Sequence, residues 1–218
     1  MKSKVPRRRN GVYYINGKEY ASVTKVIGDT LAKPALLYWY GKKAAEIALK
    51  NPELNEKEVM AELRLFSKST QERGKYVHAI AEAMPDVKDL IDPGRPELDG
   101  YIHALQAFWD THQPKLLGQE IELYTDTYGV AGRCDQVCEI NGKKWLIDYK
   151  TGKAIYHEVD LQLAIYDFML NEMGVVKVDY TGVVLLKDDG SFVFQRTNGT
   201  LQDFLNVLEV WKWIKRKD

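Results

Sequence analysis

The chain has 218 residues, in which 31 lysines and arginines balance 31 aspartates and glutamates. That length suits one well-cored domain and is short for two, and zero net charge excludes a globally basic nucleic-acid binder, so any positive field must be local. No apolar run approaches membrane-spanning length, and residues 1–10 lack the apolar stretch of a secretion signal, which excludes a membrane partner.

Residues 12–15 and 18–20 bracket Asn16-Gly17, a pair that favours the left-handed conformations of a tight hairpin. Helical patterning then dominates. Residues 34–50 open on a proline, residues 55–66 follow an asparagine cap with glutamates in the first turn, and residues 69–84 form a third helical stretch. Residues 85–96 hold Pro85, Pro93 and Pro96 among several acids and read as a loop; residues 97–112 are helical again. Residues 134–140 and 144–151 are rich in strand formers and flank Asn141-Gly142, which predicts a two-stranded ribbon. A helix over 159–172 follows, then strands over 178–187 and 191–196 about an Asp188-Asp189-Gly190 turn, and a terminal helix over 201–215. The expected architecture is a single α/β domain: a central mixed sheet flanked by helices on both sides, with a helical N-terminal portion over a cleft.

The ribbon holds the residues that suggest chemistry. Asp135 lies on its first strand and Asp148-Tyr149-Lys150 on its second. Side chains alternate along a strand, so Asp148 and Lys150 share one face while Ile147, Tyr149 and Thr151 share the other. A lone Asp-x-Lys is common and is explained by a surface ion pair; a second acid on the paired strand is not explained that way. Two carboxylates can hold a hard divalent cation, Mg2+ or Mn2+, and a neighbouring ammonium adds positive charge for a phosphoryl transition state. Such a cluster suits phosphodiester hydrolysis without a serine, cysteine or histidine nucleophile.

Asp135, Asp148-Tyr149-Lys150 and a helix carrying Gln162 and Tyr166 four residues apart resemble the PD-(D/E)XK nuclease superfamily, in its RecB-type exonuclease branch with a Gln-x-x-x-Tyr motif. The resemblance implies a restriction-endonuclease-like core over residues 69–218, preceded by a hairpin and helical portion over residues 1–68. It implies that His78, in Arg73-Gly74-Lys75-Tyr76-Val77-His78, is a metal ligand with Asp135, Asp148 and the main-chain carbonyl of Tyr149. Glu120 is the best match to a further acid, with Glu122 two residues on as the competing choice. Lys150 would serve catalysis, and Gln162 with Tyr166 would hold DNA. Arg73 and Lys75 flank His78 and are candidates for phosphate contact. Residues 20–27, followed by Leu36-Leu37-Tyr38-Trp39, are similar to the start of phage exonucleases and of the mitochondrial genome maintenance exonuclease, a branch that favours single-stranded ends. Tyr38, Trp39 and Tyr40 are candidates for stacking on bases.

The expected function is therefore a Mg2+- or Mn2+-dependent DNA exonuclease, with a recombination or replication protein as a further partner. Two alternatives stay open: a non-catalytic DNA-binding or recombination-partner module of the same fold, and an endonuclease of the same superfamily. Cys134 and Cys138 cannot build the four-cysteine iron–sulfur cluster of some relatives, and their spacing points to a reducing cytoplasm, bacterial or phage-infected, with a mitochondrial site open. Trp39, Trp109, Trp211 and Trp213 read as packing residues, His103, His112 and His157 as unrelated to the site, and the Arg7-Arg8-Arg9 run as a frayed basic terminus.

Overall fold

In the computed structural model, which describes residues 7–84 and 95–216, the N-terminus builds a three-stranded antiparallel ribbon: β1 (Arg7–Arg9), β2 (Val12–Ile15) and β3 (Lys18–Ser22). Both turns use Asn-Gly pairs with positive φ, at Asn10 (51°) and Gly11 (77°) and at Asn16 (50°) and Gly17 (80°). The first of these turns draws the Arg7-Arg8-Arg9 run into a strand, correcting its expected fraying. A short helix α1 (Val23–Thr30), not evident in the sequence, buries Val23, Val26 and Ile27.

Helix α2 (Pro34–Lys50) starts on its proline as expected and has no buried residue. Two expected helices then merge into one of 28 residues, α3 (Glu56–Ala83). The polar stretch between them does not break the helix. Ser69 and Thr70 turn their hydroxyls back to the Phe66 carbonyl, at 2.8 and 3.1 Å, and so satisfy themselves within the helix. Asn55 caps α3 through a capping box with Glu58, a feature worth about 1 kcal/mol. The division drawn at residue 69 falls inside this helix. Of the loop expected over 85–96, residues 85–94 lie outside the described ones; Pro96–Leu98 form a single 3-10 turn leading into α4 (Asp99–His112).

The remaining elements are β4 (Lys115–Thr125), β5 (Val130–Ile140), β6 (Lys143–Lys150), α5 (Glu158–Glu172), β7 (Tyr180–Leu186), β8 (Phe192–Arg196) and α6 (Leu201–Lys215). All eight strands join one mixed sheet. Its β5–β6 turn is Asn141-Gly142, with φ of 51° and 72°, as the sequence predicts. Helices cover both faces. Residues from α3 and α4 pack on Cys138, Ile140, Ile147, Tyr149, Val184 and Leu186; residues from α1, α5 and α6 pack on Leu123, Val130, Cys134, Val137, Leu146 and Val183. Among the described residues, no helix is long and apolar enough to cross a membrane.

The sheet forks at β5. Strand β4 pairs along one edge of β5, from Val130 to Glu139. The other edge is taken in parallel by β3 at Val130 and Ala131, and antiparallel by β6 from Gln136 to Ile140. Residues 132–135 lie between these two partners. Beyond Ile147 strand β6 leaves β5 but stays paired with β7 as far as Lys150. The two partners of this edge part here, and Asp135 lies in the gap between their pairings.

Candidate metal centre

Asp135 closes the fork. Its Oδ2 accepts the backbone N–H of Tyr149 at 2.8 Å, replacing the ladder bond lost where β6 parts from β5. The same oxygen lies 3.4 Å from His78 Nδ1. His78 reaches it because Val77, Ile80 and Ala81 anchor the end of α3 in the first core, and because Gln119 donates to the Ala81 carbonyl at 3.0 Å, tying the helix to β4.

The third member is Glu120. It falls opposite Asp135 in the β4–β5 register, between the pairs Gln119–Gln136 and Ile121–Cys134. Its φ is +47°, a left-handed conformation in mid-strand that costs a non-glycine residue about 1 kcal/mol or more. His78, Glu120 and Asp135 each offer one ligand atom, and these atoms all lie within 4.8 Å of one another. Glu120 rather than Glu122 joins the group: Glu122 pairs in register with Arg133, and only Glu120 lies opposite Asp135.

Asp148 and Lys150 form the other wall. Both share the sheet face that carries Leu146, while Ile147 and Tyr149 enter the opposite core, so the expected alternation holds. Asp148 is only 2% exposed. Its Oδ2 is 2.6 Å from Lys150 Nζ, and its Oδ1 accepts from Gln162 Nε2 at 3.0 Å. The carboxylate expected among the metal ligands is thus turned toward lysine and glutamine, beside the trio rather than within it. Tyr149 is buried, its hydroxyl donating to Gln136 Oε1 at 3.0 Å and its ring meeting Phe108 edge-on.

The electrostatics follow from this crowding. Burial pushes Asp135 upward, but the hydrogen bond and charge of His78, the Lys150 ammonium and the Tyr149 N–H outweigh it and hold the carboxyl below its ordinary value. Burial raises Asp148 to about 6, with Lys150 opposing and Asp135 adding to the rise. His78 is pulled down by burial and raised more strongly by Asp135 and Asp148, for a net rise. Lys150 shows the same balance, burial against Asp148 and Asp135, and also ends raised, so it is a charged ammonium rather than a neutral base. Glu120 is raised by burial and by Asp135 and Glu82, against Arg133.

Tyr166 departs from expectation. It is 2% exposed, and its ring and hydroxyl occupy the space that a Cβ on Gly132 would take. A residue so placed packs against Gly132 of β5 at the fork. Arg73 stacks over the Tyr101 ring at 5.0 Å, and Lys75 is exposed on α3. Gly74 between them faces Thr151 Oγ1, which sets this segment against the end of β6. Of the early aromatics, Trp39 packs on Phe66 and Tyr40, and Tyr40 hydrogen-bonds Ser67; Tyr38 is 75% exposed. Trp213, expected to pack, is exposed. Cys134 and Cys138 are buried free thiols, the first pushed up by burial to about 12. Gln119, Gln136 and Arg133 are parts of the site that sequence reasoning misses, because a glutamine or arginine on a strand carries no local signature of what it will face.

No protein-family model matches the chain, and no curated protein matches it. Among solved structures, that of SSO0001 aligns with a TM-score of 0.35 and 16% identity, over 61% of this chain and 65% of that one.

Proposed function

We propose that this protein is a divalent-metal-dependent deoxyribonuclease acting from DNA ends, an exonuclease. The observation that supports it best is the meeting of His78, Glu120 and Asp135 at the fork of the sheet, directly beside the Asp148–Lys150 pair. The donor set fits a hard cation: one imidazole and two carboxylates, one of them Glu120 with a buried oxygen. His78, Glu120 and Asp135 would hold the ion, with Asp148 and the Tyr149 carbonyl next to it. The bound cation would supply Lewis-acid polarisation of a phosphoryl oxygen and a nucleophilic water at neutral pH.

The chain's own residues do the rest. Lys150, held charged by two carboxylates, places an ammonium where negative charge grows in phosphoryl transfer. Gln162 fixes the Asp148 carboxylate, and so orients Lys150 in turn. Asp135 aligns His78 and locks β6 through the Tyr149 N–H. The preference for single-stranded ends is supported by zero net charge and by the exposed Tyr38, since a single-strand site needs a few cations and a stacking surface rather than a broad basic face.

The test uses end-labelled single-stranded and duplex oligonucleotides and a covalently closed circle, each with and without Mg2+. Mg2+-dependent loss of linear DNA with the circle intact is the expected result. Cleavage of the circle indicates an endonuclease, and binding without cleavage indicates a non-catalytic module.

A further inference from the structure

Arg133 is the residue at the fork with no part in the scheme above. It lies on β5 two residues before Asp135, with a 57% exposed side chain, and its Nε makes an ion pair with Glu120 Oε2. That oxygen is buried. An exposed arginine thus reaches inward to a carboxylate that a strained backbone holds at the metal centre. The guanidinium sits where a cation would otherwise neutralise Glu120. It is also long, planar and forked, suited to a phosphate oxygen as well as to a carboxylate.

We propose that Arg133 is a placeholder for the cation at Glu120 and, once the cation displaces it, a contact for the phosphate bound there. This rests on the metal-centre reading. The two ligands of the guanidinium exclude each other in time: a carboxylate shared with a divalent cation no longer needs arginine, and the released side chain stays within reach of an anion drawn to the same cation. The outcome is coupling. Metal uptake strengthens DNA binding by more than the metal's own contact, because it also frees a phosphate ligand. Arg133 is a positioning residue in the empty site and a substrate contact in the filled one.

The experiment measures Mn2+ affinity by calorimetry without DNA, then the affinity for a phosphorothioate-linked single-stranded oligonucleotide with and without Mn2+. Wild type, Arg133→Gln and Arg133→Lys are compared. Arg133→Gln, which removes the competing charge, is expected to bind Mn2+ more tightly by about threefold or more. Its Mn2+-dependent gain in DNA affinity should shrink by about tenfold. Arg133→Lys keeps the charge and should restore Mn2+ affinity to near wild type and part of the DNA gain, a rescue that a merely structural role would not give. Unchanged or weaker Mn2+ binding by Arg133→Gln overturns the placeholder, and an unchanged DNA gain overturns the phosphate contact. A wild-type protein that takes up no Mn2+ overturns the metal centre itself and this proposal with it.

Discussion

Asp135 and Tyr149 are joined by a bond that replaces a strand pair: the carboxylate Oδ2 accepts the Tyr149 N–H at 2.8 Å where β6 leaves β5. One oxygen therefore supports both the fold and the site, since it also faces His78. Asp135→Ala should abolish metal-dependent cleavage and also lower stability by about 1–3 kcal/mol, the cost of a buried N–H left unsatisfied. Asp135→Asn keeps an acceptor and should lose cleavage with little loss of stability. Urea unfolding of both variants decides it: equal midpoints for Ala and Asn would show that the Tyr149 bond is worth nothing.

Much of this arrangement was legible in the sequence. The Asn16-Gly17 and Asn141-Gly142 turns, the proline start of α2 and the alternation in β6 are local signals, and each appears where the residues predict it. Asn10-Gly11 carries the same signal, but its strand has value only once β2 is there to pair with it. The merging of two helices into α3 depends on hydroxyls turning back onto Phe66, a choice that propensity leaves open. The left-handed Glu120, the turning of Asp148 toward Lys150 and the burial of Tyr166 arise from contacts between distant elements, which no spacing encodes.

Lys150 separates chemistry from binding. Replacing it with alanine removes the partner of a buried Asp148 that burial already holds near 6. Turnover should fall by about 10²–10³-fold, as when one preorganised charge is withdrawn from a transition state, while DNA affinity changes little. Single-turnover kinetics at saturating protein read this directly. A loss of affinity with an unchanged bound-state rate would make Lys150 a phosphate anchor instead.

The pH dependence has a definite sign. His78 is raised above its unfolded value of about 6.5, so its stabilising pairing is complete below that pH and is lost as pH climbs through the folded value. Asp148, raised to about 6, loses stability as pH rises from about 4 through 6, because the buried carboxyl must ionise. Asp135, lowered, acts oppositely, but only in acid below about 4. The metal-free protein therefore gives up stability from Asp148 between about pH 4 and 6 and from His78 as pH rises above about 6.5. A cation needs neutral imidazole and ionised carboxylates, so Mn2+ should raise the melting temperature more at pH 8 than at pH 6, with protons released on uptake near pH 6. An equal or larger shift at pH 6 would contradict the ligand assignment.

Gly132 has a packing reason to be glycine, since its Cβ position is filled by the Tyr166 ring and hydroxyl. Gly132→Ala should cost about 1–3 kcal/mol by overpacking. The same substitution made in a Tyr166→Leu background should cost clearly less, giving a coupling energy between the two positions. If the costs simply add, the ring yields without strain and the fork is looser than its geometry indicates.

Tyr38 tests the form of the substrate. It projects from α2, a helix with no buried residue, whereas Trp39 and Tyr40 beside it are engaged with Phe66 and Ser67. Removing an exposed ring should leave the unfolding midpoint unchanged. If that ring stacks on an unpaired base, Tyr38→Ala should weaken binding of a single-stranded oligonucleotide by about 1–3 kcal/mol and leave blunt duplex binding nearly as it was, because paired bases are already stacked on one another. The two substrates must be compared at one ionic strength, since a phosphate-only contact would respond to salt and hardly to this substitution. A matching loss on both substrates would assign Tyr38 a general backbone contact, and faster digestion of blunt duplex by the wild type would reverse the proposed preference for single-stranded ends.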